Sequence, residues 1–303
     1  MANQRFISGC NQHNAVPLLD GHTRHTVSHY DCPMVTVTSA RNPLLKDVRK
    51  AVQRGALTDA GLCVAEGFHL LEEALRSDCA VEQVIVAESV RGALAAHVGG
   101  LKQVRVLAVD DALFASISST EASQGVLTLL KPPAWTLDHV FRGLSLVVVI
   151  DGVQDPGNGG AIVRAAEAFG ATGVVLLKGS VNPWNPKALR AAAGSAFRIP
   201  LVAGVDDRLF LAVSEKKRAR LFAAMPRGGR TVNTSDLSGR CAVIIGGEGR
   251  GVSQLLAAEA MPLRIPTSTV ESLNAAMSAG IILYEARRQR STAFEEPAAG
   301  AGA

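Results

Sequence analysis

The amino-acid sequence predicts an α/β protein in which a small N-terminal domain precedes a larger domain with a mostly parallel sheet. Three observations support this prediction. Short apolar runs alternate with helical patterns from about residue 43 onward. Residues 145–150 (SLVVVI) are apolar almost without interruption, which is typical of a strand covered on both faces. The adjacent Pro132 and Pro133 mark a linker, because proline stops both helices and sheets.

Length and composition agree with two folded domains. The chain has 303 residues, of which 48% are hydrophobic and 19% are charged, so it can bury a sizeable core. No apolar stretch approaches the ~20 residues of a membrane span. The five cysteines are odd in number, widely spaced and free of a CxxC pair, which indicates reduced thiols in a cytoplasmic protein. A net charge of +4 permits a nucleic-acid partner without requiring one.

Residues 1–33 differ from the rest of the chain and are predicted to be a disordered leader. They show no helical or strand period, and Met34 is a second candidate for the start of translation. Cys10, His13 and Cys32 could suggest a metal site, but their spacing matches no standard zinc pattern, so we expect no metal. Four of the seven histidines lie in this segment: His13, His22, His25 and His29.

A small α/β domain is predicted over residues 34–131. Its first helix begins at Pro43 with Asn42 as the cap. Strands are predicted at 62–65, 81–86, 104–107 and 125–130, and helices at 68–75, between 86 and 104, and at 111–117. A linker is predicted over residues 132–142.

The larger domain is predicted over residues 143–292, with a disordered tail at 293–303. Its strands are predicted at 144–150, 173–177, 199–202, 221–224, 242–245 and 263–265. Its helices are predicted at 159–169, 186–193, 206–218, 253–259 and 272–289. This alternation indicates a mostly parallel sheet with helices on both faces.

Loops after the strands of such a sheet are the expected ligand sites. The first, residues 151–160, nearly fits the dinucleotide fingerprint at Gly157 and Gly159, but Ile162 occupies the third glycine position. A nicotinamide-dependent enzyme is therefore a distant alternative. Taken alone, Asn158 could be a helix cap and Arg164, on the second turn of the helix, a surface arginine.

Two further loops have unusual composition. Residues 244–253 (IIGGEGRGVS) carry four glycines in six positions, which allow the backbone to approach a ligand closely, and one carboxylate, Glu248. A role of Glu248 in the turn itself is the alternative. Residues 265–276 lead into a closing helix rich in small residues, which Ser272 or a nearby polar residue can start.

Together these segments resemble one family. DPGNGGAIVRAAEAFGA, IIGGEGRGVS and IPTSTVESLNAAMSAGIILYEARR are similar, in order and spacing, to the three motifs of the SpoU (TrmH-like) branch of the SPOUT RNA methyltransferases. The resemblance covers about 145–290. The preceding RNPLLKDVRK, VAEGFHLLEEAL and STEASQGVLTLL are similar to the small RNA-binding domain that many members carry.

The resemblance implies a C-terminal SPOUT domain with a deep trefoil knot, although knots are generally rare. It also implies an S-adenosylmethionine pocket formed largely by backbone groups, with Gly246, Gly247, Ile265 and Leu273 as its residues in this chain. Family members are usually homodimers, so we expect a homodimer built on the C-terminal domain.

The implied reaction is attack of a ribose 2′-hydroxyl on the methyl group of a sulfonium, which needs a group to take or stabilise the hydroxyl's charge. The resemblance assigns this task to Arg164. A guanidinium with a pKa above ~12 is a poor base, so we favour a phosphate clamp that also stabilises the alkoxide. Asn158, Glu248, Ser272 and Asn274 would orient arginine, ribose and cofactor. No metal is required.

Basic residues suggest where RNA would bind. Five of them lie at the start of the small domain with a single acid, Asp47: Arg41, Lys46, Arg49, Lys50 and Arg54. For a second basic cluster, a solvated surface is favoured over RNA contact: Lys216, Lys217, Arg218 and Arg220. Aromatic residues make up only 4%, so contacts to the RNA backbone should dominate over base stacking.

The sequence therefore predicts a cytoplasmic, S-adenosylmethionine-dependent ribose 2′-O-methyltransferase that acts on structured RNA. Ribosomal RNA is favoured, because the extra N-terminal domain is commoner in members that modify it. Transfer RNA is the alternative substrate. The alternative from another functional class is a non-catalytic RNA-binding protein that retains the fold.

Overall fold

The described part of the chain forms two β-sheets, each of which packs against helices. The computed structural model describes residues 34–77, 79–97 and 104–291. The predicted leader (1–33) and tail (293–303) lie outside these residues, as do Cys10, His13 and Cys32. No helix in the described ranges is long and apolar enough to cross a membrane. The fold class predicted from the sequence, α/β with a mostly parallel sheet, is confirmed.

The first sheet has five strands in the order β1-β4-β3-β5-β2. β1, β4 and β3 are parallel, whereas β5 is antiparallel to both of its neighbours. The strands are β1 (Met34–Val37), β2 (Cys63–Glu66), β3 (Ala80–Ala87), β4 (Arg105–Val109) and β5 (Val126–Lys131). The helices are α1 (Pro43–Arg54), α2 (Phe68–Arg76), α3 (Arg91–His97) and α4 (Asp111–Ala115), with a 3₁₀ turn at Glu88–Val90. β1 is an addition to the predicted elements.

Helix α1 begins and ends as its sequence dictates. The Asn42 side chain accepts a hydrogen bond from the backbone N–H of Leu44, and Pro43 occupies the first turn, where its missing N–H costs nothing. Gly55 ends the helix in the left-handed conformation, at φ = 60°, and returns its N–H to the last carbonyls. Leu45 and Val48 are buried, so the charged residues are left on the outer face.

The second sheet has seven parallel strands in the order β10-β12-β9-β11-β6-β7-β8. The strands are β6 (Leu146–Asp151), β7 (Gly173–Leu177), β8 (Leu201–Val205), β9 (Arg220–Ala224), β10 (Arg230–Thr231), β11 (Cys241–Gly246) and β12 (Met261–Arg264). Every residue of β6 is buried, as its uninterrupted apolar run predicts. The helices are α5 (Leu137–Val140), α6 (Pro156–Ala168), α7 (Pro186–Ala192), α8 (Asp207–Lys216), α9 (Gln254–Glu259) and α10 (Ala275–Arg290), with 3₁₀ turns at Ser195–Phe197 and Val232–Thr234.

Besides β1, further elements differ from the prediction. Helix α5 lies inside the predicted linker 132–142, because Thr136 and His139 form a capping box and Val140 and Phe141 are buried. The short strand β10 is too brief to leave a pattern in the sequence. Helix α10 begins three residues later than the predicted start at 272, because Asn274 rather than Ser272 is its cap.

The C-terminal part of the chain returns into the middle of structure formed earlier. Strand β12 pairs between β9 and β10, both of which precede it in sequence. At the end of α10, the Arg290 guanidinium donates hydrogen bonds to backbone carbonyls of Leu144, Ser145, Leu237 and Gly239. These bonds anchor the last helix turn beneath β6 and β11. The trefoil knot implied by the family resemblance stays a prediction.

The two sheets share a continuous apolar core. Cys63 and Ala65 of β2 and Leu70 of α2 belong to the same buried cluster as Ala192 of α7 and Phe197. The structure therefore packs the small domain directly on the larger one.

A buried carboxylate lies at this boundary. Glu66, the last residue of β2, is only 5% exposed, and its Oε2 atom lies 3.6 Å from Nη1 of Arg190 on α7. Burial alone would raise the pKa of the Glu66 carboxyl, but its hydrogen bonds outweigh burial and hold the pKa below its usual range. The donors are the hydroxyls of Ser118, Ser119, Thr120 and Ser123, together with the backbone N–H of Ser119.

Replacing Glu66 with glutamine should destabilise the fold in a pH-dependent way. At pH 7 we expect the free energy of unfolding to fall by about 1–3 kcal/mol, because an amide offers one acceptor oxygen where the carboxylate offers two. A lowered folded-state pKa stabilises the protein above the ordinary glutamate pKa of about 4.3, and this stabilisation is lost as the pH falls through the lowered value. The difference between wild type and Glu66→Gln should therefore shrink below pH 4.

Urea unfolding at pH 7, 5, 4 and 3 measures this difference. The exposed Glu82 on β3 provides the control, and Glu82→Gln should leave the free energy of unfolding nearly unchanged at every pH. A gap between wild type and Glu66→Gln that stays constant or widens in acid would contradict the prediction.

Candidate active site

Three loops meet at the carboxyl edge of the second sheet. Strands β6 and β11 are adjacent and in register, so that Asp151 pairs with Gly246 at their ends. The loop after β6 leads into α6, the loop after β11 leads into α9, and the loop after β12 leads into α10. Parallel strands place these loops on the same side, where ligands bind in sheets of this kind.

One side chain from each loop joins a hydrogen-bonded network. Nδ2 of Asn158 donates to Oε1 of Glu248 at 2.8 Å. Nδ2 of Asn274 donates to Oδ1 of Asn158 at 2.9 Å and to the same Glu248 oxygen at 3.1 Å. The network therefore brings together residues that are as many as 116 positions apart in the sequence. The second carboxylate oxygen of Glu248, Oε2, makes no hydrogen bond in the described ranges.

Asn158 and Asn274 each lie at the start of a helix, and this position fixes where their side-chain amides lie. Asp155, not Asn158, is the N-cap of α6, because its Oδ1 accepts the N–H of Asn158 at 2.8 Å. This backbone hydrogen bond is the main reason that the pKa of Asp155 lies below its usual range. Asn274 caps α10, with its Oδ1 accepting from the backbone of Ala276 and Met277. Its Nδ2 is therefore turned toward the network.

The glycine-rich loop after β11 is folded tightly on itself. A Cβ atom on Gly246 would lie 2.2–2.5 Å from backbone atoms of Gly251 and Val252, and one on Gly247 would lie 2.4 Å from the Gly152 carbonyl oxygen. Gly247 and Gly251 form a β-bridge across the turn. Only glycine fits where backbones approach this closely.

The glycine loop forms one wall of a cavity of about 430 Å³, a size typical of small-molecule sites. Apolar side chains line much of it, including Ile245, Leu263 and Ala275, while Glu248 and Glu271 add carboxylates. The four residues predicted to contact the cofactor all line it: Gly246, Gly247, Ile265 and Leu273. Ser272 lines it as well.

Arg164 lies apart from this network. It is exposed on α6 and makes no hydrogen bond or ion pair in the described ranges. It is not among the residues that line the cavity. The structure thus joins three of the five predicted catalytic residues, Asn158, Glu248 and Asn274, in one network. Glu248 and Ser272 line the cavity, and the Arg164 guanidinium is left free.

The basic residues of α1, together with Arg41 just before it, fall into two groups. Arg49 donates from Nε and Nη2 to the carbonyl and hydroxyl of Ser116, and Lys50 pairs with Asp59 at 2.7 Å. The hydrogen bond from Lys50 lowers the pKa of Asp59. The other three are exposed, and none of their side chains makes a hydrogen bond or a close ion pair among the described residues: Arg41, Lys46 and Arg54.

The second basic cluster is partly neutralised, in line with a solvated surface. Lys217 pairs with Asp138 at 2.6 Å, and Arg220 pairs with Asp236 at 3.0 Å. No group of histidine, cysteine and acidic side chains in the described ranges could hold a metal ion.

Sequence reasoning missed two parts of the site. Asp151 holds both ends of the glycine loop, because its carbonyl accepts from Gly247 at 2.9 Å and its Oδ2 accepts from the N–H of Ser253 at 2.7 Å. The loop after β9 also lines the cavity, through residues 224–226. The sequence signal that could have found Asp151 and the loop after β9 is their place at the end of an apolar strand. Only the strand order, however, puts β9 next to β11.

A parallel sheet with a glycine-lined cavity and an amide–carboxylate network at its carboxyl edge defines an enzyme that binds a small organic cofactor. Residues 145–284 match the SpoU rRNA Methylase family, and residues 42–128 match the MRM3-like substrate binding domain. The chain belongs to the SpoU rRNA methylase family.

Individual relatives agree with this assignment. The chain is 32% identical to the 23S rRNA (guanosine(2553)-2′-O)-methyltransferase RlmP of Bacillus subtilis over 84% of its own length and all of that protein. It superposes on the AdoMet-bound rRNA methyltransferase of Sinorhizobium meliloti with a TM-score of 0.73 and 29% identity, covering 84% of this chain and 98% of the other. The SpoU methyltransferase AviRb of Streptomyces viridochromogenes, in complex with AdoMet, gives a TM-score of 0.70 and 25% identity, covering 82% and 99%.

These findings confirm the predicted family, the predicted activity as an RNA methyltransferase and the predicted cofactor, S-adenosylmethionine. The nicotinamide alternative is thereby wrong.

Proposed function

We propose that this protein transfers a methyl group from S-adenosylmethionine to a ribose 2′-hydroxyl of ribosomal RNA, with the small domain holding the RNA. The observation that carries the proposal is the network of Asn158, Glu248 and Asn274 beside the glycine-lined cavity. Relatives that are aligned over most of the chain are named as ribosomal RNA methyltransferases. A cytoplasmic location, expected from the unpaired spacing of the cysteines, is part of the proposal.

The residues of the cavity suit the cofactor. Backbone groups of Gly246 and Gly247 can reach a ligand without side chains in the way, and apolar walls such as Ile265 and Leu273 suit a purine ring. The ligand carries a positively charged sulfonium and a positively charged ammonium group, which a carboxylate attracts. Glu248 provides such a carboxylate in the lining of the cavity. When bound, S-adenosylmethionine supplies an electrophilic methyl group.

Arg164 would act on the RNA. Its free guanidinium can form a bidentate contact with a phosphate and stabilise the negative charge that develops on the 2′-oxygen. The Asn158–Glu248–Asn274 network would orient the ribose, and Ser272 would lie at the cofactor. Lys46 and Arg54 on α1, and Arg41 just before it, are available for phosphate contacts, whereas Arg49 and Lys50 are held by protein partners.

A homodimer is part of the proposal. On α10, Met277 and Tyr284 are 56% and 57% exposed and lie seven residues apart, so they share one face of the helix. Tyr284 packs edge-on against Phe169 beside α6, which extends the apolar surface. A second copy would cover this surface.

Tyr284→Glu should weaken the dimer. A carboxylate on an apolar contact surface is costly to bury unpaired, so we expect the variant to sediment as a monomer at micromolar concentrations where the full-length wild type sediments as a dimer. Leu209→Glu, at an exposed leucine on α8, is the matched control and should keep the wild-type state. A wild-type monomer under these conditions would contradict the proposed assembly.

Mapping of 2′-O-methylated nucleotides tests the proposed activity. Total RNA from cells with and without the gene should differ at one position of ribosomal RNA, and an Asn158→Ala copy of the gene should fail to restore it. A lost position in transfer RNA would select the alternative substrate. No lost position in either RNA would favour the non-catalytic RNA-binding protein.

A further inference from the structure

The buried Glu66 carboxylate lies between two structures that the proposed reaction must keep aligned. One is α1, which presents free basic side chains, and the other is α6, which begins at the catalytic network. Glu66 belongs to neither helix and lines no part of the cofactor cavity. The contacts of Glu66 nevertheless connect, through neighbouring residues, to both α1 and α6.

Toward the catalytic side, the contact is Arg190 on α7. Its Nη1 donates to the hydroxyl of Ser119 at 2.5 Å and lies 3.6 Å from Oε2 of Glu66. Helices α7 and α6 are in backbone contact, since a Cβ on Gly160 would lie 2.2 Å from the carbonyl oxygen of Ala188. Two helices packed this closely move as one body, so Arg190 is in effect attached to α6.

Toward the RNA-binding side, the contact is the 118–123 loop. Its hydroxyls surround the Glu66 carboxylate, and Ser116 just before it receives two hydrogen bonds from Arg49 of α1, at 3.0 and 2.8 Å. The loop therefore links the basic helix to the carboxylate. Arg49, which is also predicted to contact RNA, takes part in this link.

We propose that Glu66 and Arg190 form a polar lock that sets the position of the RNA-binding helix α1 relative to the catalytic helix α6. The inference rests on the proposed function, since it concerns how the bound RNA is presented to the site. Both residues are positioning residues and touch neither RNA nor cofactor.

The apolar boundary cannot set this position by itself. Its members include small side chains such as Ala65 and Ala192, and hydrophobic contact has no preferred direction. Hydrogen bonds and ion pairs have defined geometry and can fix one arrangement. Arg198 also pairs with Glu73 of α2 and Glu167 of α6, whereas the contact of Glu66 with Arg190 leads through the 118–123 loop to α1. The accuracy matters because a displacement of about 1 Å between reacting groups can cost about 100-fold in rate.

Arg190→Ala tests the lock, and its half-exposed position favours correct folding of the variant. We expect hydrogen–deuterium exchange to become faster at amides of residues 116–124 and unchanged in β6. Arg91→Ala is the matched control, because its ion pair with Glu88 lies wholly within the small domain. It should leave exchange at 116–124 as in wild type.

The same variants are then assayed for methylation of unmodified 23S rRNA transcribed in vitro. For Arg190→Ala we expect kcat to fall about 10-fold or more, with the Kd for RNA and the Kd and stoichiometry for S-adenosylmethionine unchanged. Arg190→Lys, which keeps the charge without the fork, should recover part of the rate.

The outcomes separate the lock from the proposed function. Faster exchange with an unchanged kcat would overturn the positioning role, and so would unchanged exchange at 116–124. A reduced cofactor stoichiometry in step with kcat would show misfolding and overturn it as well. A wild type that methylates no ribosomal RNA would refute the proposed function, and the inference would fall with it; an active wild type with a normal Arg190→Ala variant would refute the lock alone.

Discussion

Arg164→Ala should slow methyl transfer to RNA by roughly 30- to 1,000-fold, the effect of losing about 2–4 kcal/mol of transition-state stabilisation. The reason is that the Arg164 guanidinium has no partner among the described residues and is free to bind a phosphate and the developing alkoxide. Arg164→Lys should be less impaired, because it keeps the charge but loses the bidentate geometry. Affinity for S-adenosylmethionine should barely change, since Arg164 does not line the cavity.

Single-turnover methylation across pH, with cofactor titration in parallel, measures both effects. Arg208→Ala, at an exposed arginine on α8, is the matched control and should keep the wild-type rate. If Arg164 were the general base, the lysine variant would recover activity as the pH approaches ~10, where an ammonium loses its proton. Such a recovery would defeat the clamp, and a normal rate for Arg164→Ala would remove Arg164 from the site altogether.

Gly246→Ala should weaken S-adenosylmethionine binding by about 10- to 100-fold. The new Cβ would fall 2.2–2.5 Å from backbone atoms of Gly251 and Val252, so the loop must move. Overpacking of this kind costs about 1–3 kcal/mol, and here the displaced backbone lines the cavity itself.

Gly92→Ala, on α3 and not among the residues that line the cavity, provides a control, because a Cβ there meets nothing within 4 Å. Calorimetric titration of both variants with S-adenosylmethionine should show near-normal affinity for Gly92→Ala alone. Equal affinities for the two variants would mean that the tight turn does not shape the cofactor site.

Local chemistry made much of the fold predictable. The start of α1 was predictable because Asn42 and Pro43 act on the backbone beside them, and the buried strand β6 because every residue of it is apolar or covered. The three motif loops could also be found from the sequence, because each of them directly follows a predicted strand. The α5 helix was harder to predict, because its capping box lies within three residues of the paired prolines.

The sequence by itself determined which residues are available for the network: Asn158, Glu248 and Asn274 lie in loops that follow strands, and the glycines around residue 246 allow close backbone approach. Only the tertiary structure decided how they meet. Strand order depends on long-range pairing that no local pattern encodes, and it alone puts β9 beside β11 and Asp151 under the glycine loop. The same holds for Glu66 and Arg190, whose contact across 124 positions arises because two apolar surfaces pack and leave a buried carboxylate that needs donors.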